Sequence, residues 1–183
     1  MSVHNDHSYY LKALDAYPMH LEEASEALGY ALSYNGEHAG ALYLQARLYA
    51  GELNMPGEAI QYFEETLLAD DRYLPAYFSY AILLINRRKY EKATKLLDKV
   101  WNIPGCDRAR VLYLKAWLAE TDMRFKDALN LLDEARLYCT CNYQMRFLDE
   151  EGTRITNKKV LQKKLKKSKK DSKQTDATTE SRS

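Results

Sequence analysis

The sequence predicts an all-α fold: an antiparallel helix-hairpin solenoid with a C-terminal capping helix. Three observations predict it. Rows of small and large apolar residues recur about every 34 residues. Seven glycines and four prolines in 183 residues are about half the usual share of roughly 12%, which disfavours turn-rich β-sandwiches and collagen-like folds. Apolar residues make up 46%, enough for a sizeable core, and the length suits about one domain of ~100–200 residues.

The expected helices run 6–17, 21–34, 39–52, 56–69, 74–87, 90–102, 108–121, 125–138 and 142–157. The first helix of each pair repeats a small residue, Ala13, Ala46, Ala81 and Ala116, where two helices must approach closely. Tyr9, Leu42, Tyr77 and Leu112 stand one turn before it, and Ala16, Tyr49, Leu84 and Ala119 three residues after. The second helices repeat Ala24, Ala59, Ala93 and Ala128, then Leu28, Phe63, Leu97 and Leu132, then Ala31, Thr66, Val100 and Ala135. This is apolar spacing of i, i+4 and i+7, one buried stripe per helix. Pro18 lies in the first hairpin turn, which is one residue short. Asn54 is placed to cap the helix that Pro56 opens, and Pro75 suits another first turn. Asn35-Gly36 and Pro104-Gly105 stand where the chain must turn. Short loops make neighbouring helices antiparallel, so the pairs stack.

The period, the paired helices and the small–large–small order resemble tetratricopeptide repeats. The resemblance covers residues 6–140 as four repeats, at about 6–38, 39–72, 73–107 and 108–141. It departs from the family pattern in three ways. Tyr9, Leu42, Tyr77 and Leu112 replace the usual Trp, Ala replaces the usual Gly of the first helix, and the closing proline is absent at Gly36, Asp71, Gly105 and Thr140. The resemblance implies a right-handed superhelix whose concave wall carries positions five and nine of each repeat. Position five holds Tyr10, Tyr43, Phe78 and Tyr113; position nine holds Leu14, Arg47, Ile82 and Trp117. These positions are i, i+4 neighbours on one helix face. Some tetratricopeptide domains clamp a C-terminal carboxylate there with Lys, Asn and other basic residues. The matching positions here, Tyr10, Leu14, Pro75 and Ser79, cannot do so.

A wall of rings suits a partner protein's helix or extended segment, because Tyr, Trp and Arg dominate binding hot spots. The alternative is that the rings only pack against neighbouring helices or the chain's own C-terminal helix. The expected activity is therefore that of a non-enzymatic adaptor. There is no Gly-rich phosphate loop and no nucleophile elbow, no cofactor is implied, and no His–Cys–carboxylate grouping has zinc spacing. Glu22-Glu23, Glu64-Glu65 and Asp70-Asp71 read as solvated pairs on helix exteriors or ends.

Beyond the repeats, 142–157 reads as a capping helix in which Phe147 and Leu148 cover the fourth repeat, weakened midway by Gly152. Residues 158–183 carry ten basic side chains against three acidic ones, a net of +7, which leaves −6 for the remainder of a chain of overall +1. This tail is expected to be disordered, since its composition buries little. Lys158, Lys159, Lys163, Lys164, Lys166, Lys167, Lys169 and Lys170 can bind nucleic-acid phosphates, which is the second functional reading. They can also bind anionic lipid, act as a localisation signal or simply aid solubility. No apolar run approaches the ~20 residues of a membrane span. With no basic-then-apolar leader and with three cysteines, Cys106, Cys139 and Cys141, a cytoplasmic setting with reduced thiols is expected.

Overall fold

A computed structural model describes the backbone of residues 5–180 and the side chains as far as residue 167. Its elements are α1 (Asn5–Ala16), α2 (Leu21–Tyr34), α3 (Ala39–Gly51), α4 (Pro56–Ala69), α5 (Leu74–Asn86), α6 (Tyr90–Trp101), α7 (Arg108–Thr121), α8 (Phe125–Arg136) and α9 (Asn142–Glu180). The first eight match their expected spans to within two residues, and no strand occurs among the described residues. The chain divides into two compact units, the first ending at Cys106 and the second beginning at Asp107.

In unit 1, α1–α2, α3–α4 and α5–α6 are antiparallel hairpins stacked through α2 against α3 and α4 against α5. The repeated rows hold these hairpins together. Ala13, Ala24, Ala46, Ala59, Ala81 and Ala93 are fully buried, as are Leu28, Phe63 and Leu97 beside them. Alanine keeps the helix axes close, and the large residues one turn away fill the space between them. Thr66, in a row otherwise of Ala and Val, is also fully buried and donates its hydroxyl back to Tyr62 O at 2.7 Å. In unit 2 the same rows, Leu112, Ala116 and Ala119 against Ala128, Leu132 and Ala135, join α7 to α8.

The hairpin turns repeat as well. Asn54, Arg88 and Met123 have φ of 49°, 57° and 57°, and they stand 34 and 35 residues apart. Asn54 is thus the left-handed turn residue, and Met55 takes the position before α4 that was expected of Asn54. In the second and third of these turns, Lys89 N donates to Leu84 O at 2.8 Å and Arg124 N to Ala119 O at 2.9 Å. These close the helix ends in the manner of a Schellman motif. The first hairpin turns differently, through a cis Tyr17–Pro18 bond. A left-handed conformation costs an L-residue about 1–2 kcal/mol, and glycine avoids most of that. Arg88→Gly is therefore expected to stabilise unit 1 by about 0.5–1 kcal/mol, read as a higher urea midpoint.

The end of the chain differs from expectation. Helix α9 does not stop near 157 but continues to Glu180. Lys, Gln and Leu are good helix formers, and neither Gly nor Pro follows Gly152 to interrupt them. Gly152 also has a role that propensity alone does not reveal. It is buried where α9 crosses α8, and a Cβ there would lie 2.9 Å from Arg136 Nη2. Leu148 and Ile155, one turn to either side, are 2% exposed and pack with it. Leu148 covers the repeat as expected, whereas Phe147 stays 37% exposed. Arg136 stitches the two helices, with Nε 2.9 Å from Asp149 Oδ1 and Nη2 3.3 Å from Leu148 O.

Candidate partner-binding wall

In unit 1 the aromatic residues of the first helices meet through a residue that lies outside them. Tyr73, at the entrance to α5, stacks at a tilt on Tyr43 with centroids 5.3 Å apart. It also meets the Tyr10 phenol. Burial, then Tyr10 and Tyr43, hold the Tyr73 hydroxyl well above its ordinary range. Tyr43 continues the run to α5, its hydroxyl 3.0 Å from Ser79 Oγ. Tyr10, Tyr73, Tyr43 and Ser79 thus form one half-buried chain of rings and hydroxyls across three hairpins.

Gly40 makes the first link possible. A Cβ at this position would sit 2.8 Å from Tyr10 Cζ and 2.9 Å from its hydroxyl. His38 supports the same corner. Its Nδ1 caps α3 by accepting from Ala41 N at 3.1 Å, and its ring lies 4.8 Å from that of Tyr10.

Arg47 supplies the charge. Its guanidinium carbon lies 4.9 Å from the ring of Tyr17 and 5.9 Å from that of Tyr43. The side chain is exposed, held by these two rings rather than by a carboxylate among the described residues. Leu14, one turn beyond Tyr10, is 41% exposed, and Ile82 is half-buried. Phe78 corrects the expectation. It is 4% exposed and belongs to the core of unit 1, so the accessible position-five residues of this unit are Tyr10 and Tyr43.

Tyr17 and Tyr73 are not among the residues expected of the wall, and Ser79 is expected there only as a position that cannot clamp a carboxylate. Tyr17 continues the i, i+3 spacing from Leu14, a signal that was available. Tyr73 sits in a turn and Ser79 is small and polar, so neither stands out from periodicity.

In unit 2, Tyr113 and Trp117 are half-buried on α7. Phe147 of α9 meets Tyr113 edge-on, with centroids 4.9 Å apart and planes at 69°. The C-terminal helix thus takes one edge of this ring. Below it, Glu120 receives Arg154 Nη2 at 2.7 Å and Lys158 Nζ at 2.7 Å, while Arg154 also pairs with Glu151 at 2.8 Å. Burial pushes the Glu120 carboxyl up, but the hydrogen bonds from Arg154 and Lys158 outweigh it and hold it below the usual range. Of the expected lysines, Lys158 is tied to Glu120, Lys159 is half-buried, and Lys163, Lys164, Lys166 and Lys167 are exposed. The side chains of Lys169 and Lys170 lie outside the described residues.

Among the described residues no group of three or more His, Cys, Asp or Glu is placed to hold a metal ion. No helix among them is long and apolar enough to cross a membrane.

No family model matches the sequence, and no curated protein matches it. Solved structures do match the fold. Pseudomonas aeruginosa pilF is 18% identical with a TM-score of 0.74, over 86% of this chain and 70% of that one. A thermophilic TPR protein of Thermus thermophilus, TTC0263, is 14% identical with a TM-score of 0.66, over 82% of each chain. PilW, a type IV pilus biogenesis factor, is 19% identical with a TM-score of 0.66, over 84% of this chain and 71% of that one. The periodic rows, the stacked hairpins and these likenesses agree: the chain has the tetratricopeptide-repeat fold.

Proposed function

We propose that this protein is a non-enzymatic, cytoplasmic scaffold that holds a segment of another protein on the aromatic wall of unit 1. The observation that supports this reading is the continuous run Tyr10–Tyr73–Tyr43–Ser79, with Arg47 held between Tyr17 and Tyr43 at its side. Such a wall offers large, stiff contact areas and several hydroxyls at low entropic cost. It also offers one exposed cation, oriented by the rings of Tyr17 and Tyr43. It presents no paired acid and base and no activated nucleophile, so the chemistry it suits is recognition.

Arg47→Ala and Gly40→Ala test the reading together. Arg47→Ala removes the cation from an exposed site and leaves the core intact. Gly40→Ala improves helix propensity but evicts the Tyr10 ring, the movable end of the clash. Both variants are expected to keep wild-type helicity. Both should lose about tenfold or more in recovery of the proteins that the wild-type chain captures in quantitative affinity purification. Phe78→Ala is unsuitable for this purpose, because it would unsettle the core. Equal recovery of every protein by wild type, Arg47→Ala and Gly40→Ala would remove the wall from consideration.

A further inference from the structure

The far part of α9 forms a cationic rod with a fixed base. Leu148 and Ile155 bury its near half against unit 2, and Glu120 ties down Arg154 and Lys158. Gln162 Nε2 reaches the α7–α8 turn at Met123 O, 3.5 Å away. From there Lys163, Lys164, Lys166 and Lys167 stand exposed on continuous helix. The sequence has no acidic residue between Glu151 and Asp171 to neutralise them.

We propose that residues 158–167 of α9 bind the phosphate backbone of nucleic acid, independently of the wall of unit 1. Six lysines stand in these ten residues, which a helix spreads over about 15 Å. Duplex DNA carries a charge about every 1.7 Å, so several phosphates lie within reach of the rod, and their condensed counterions are released on contact. Because the segment is helical and anchored, its charge is ordered before binding, and less chain entropy is lost than from a flexible tail.

The placement of the apolar residues favours nucleic acid over a membrane surface. Val160, Leu161 and Leu165 are exposed. At about 100° per residue, Val160 lies roughly 100° from Leu161, with Lys164 between them. An interfacial helix needs one unbroken apolar stripe opposite its charges, and this segment has lysines around most of its circumference.

The test uses the full chain and a fluorescent 20-base-pair DNA duplex, titrated by anisotropy at several KCl concentrations. Four to five neutralised phosphates predict a slope of log K on log salt near −4, a loss of about 200-fold or more between 50 and 200 mM. The variant Lys163→Gln/Lys164→Gln/Lys166→Gln/Lys167→Gln should retain helicity by circular dichroism, bind at least about 100-fold more weakly at 50 mM, and show a slope near −1. Wild-type affinity in that variant, or a wild-type slope shallower than −1, would overturn the proposal. So would tighter binding to phosphatidylserine vesicles than to the duplex. Polyglutamate displacing the duplex at equal charge concentration would overturn it too, since that would indicate an acidic protein partner.

Discussion

Tyr80→Ala is expected to destabilise unit 1 by about 3–5 kcal/mol, the usual cost of truncating a buried aromatic residue. Tyr80 is 2% exposed. Its ring stacks on Phe63, centroids 5.4 Å apart and planes at 15°, and so joins α5 to α4. Its hydroxyl donates to Glu64 Oε1 at 2.6 Å, and Lys92 pairs with the same oxygen while lying over the Tyr80 ring. Tyr80→Phe keeps the ring and loses only the hydrogen bond, for about 1 kcal/mol. Urea unfolding followed by circular dichroism separates the two; equal losses would show that the hydroxyl, not the ring, dominates.

The same residue sets an alkaline limit. Burial, and then the bond to Glu64, push the Tyr80 phenol up to about 12. A group raised on folding stabilises fully below its unfolded value, near 10, and that contribution is lost as pH rises through the folded value. Wild-type unit 1 should therefore lose more stability than Tyr80→Phe between about pH 10 and 12.

Glu120→Ala should loosen α9 from α7 by about 2 kcal/mol, less than the 3–5 of a fully buried pair, because Arg154 and Lys158 remain 40% and 50% exposed to water. Glu120 itself is 7% exposed, so the loss falls on a carboxylate that three hydrogen bonds hold in place. Amide hydrogen exchange across residues 147–162 reads this effect directly, and protection should fall there first. The acid response has a definite sign. Glu120 is held below its ordinary value, so its contribution is present above the normal carboxylate range and lost as pH falls through the lowered value. On acidification, wild-type α9 should lose more protection than α9 in Glu120→Gln, which has no charge there to lose. Parallel losses in the two proteins would remove Glu120 from this role.

Much of the architecture could be read from spacing. Ala13, Ala46, Ala81 and Ala116 are buried because a small residue once per helix, with a large one a turn away, specifies how closely that helix can be approached. This information is local and recurs in every hairpin. The turns were harder. Asn54 looks like a cap by residue type, but it is the left-handed turn residue, and its equivalents Arg88 and Met123 carry no turn signature at all. Their conformation follows from the hydrogen bonds that close α5 and α7.

The candidate wall was legible only in part. Tyr10, Tyr43 and Arg47 follow from the repeat register. That register cannot distinguish Tyr43, half-buried with its hydroxyl on Ser79, from Phe78, which has no hydroxyl and is buried in the core. Nor does it reveal that Tyr73 joins Tyr10 to Tyr43, since Tyr73 lies outside the periodic helices.

Taken alone, the sequence determined the all-helical repeat, the pairing of its helices and the alanine rows between them, because these depend on residues within a few turns of one another. The tertiary structure decided which rings remain accessible, how Gly40 makes room for Tyr10, and how Gly152 and Glu120 seat α9. Each of these is a contact between side chains distant in the chain, and its outcome depends on the shape and charge of the surface they meet.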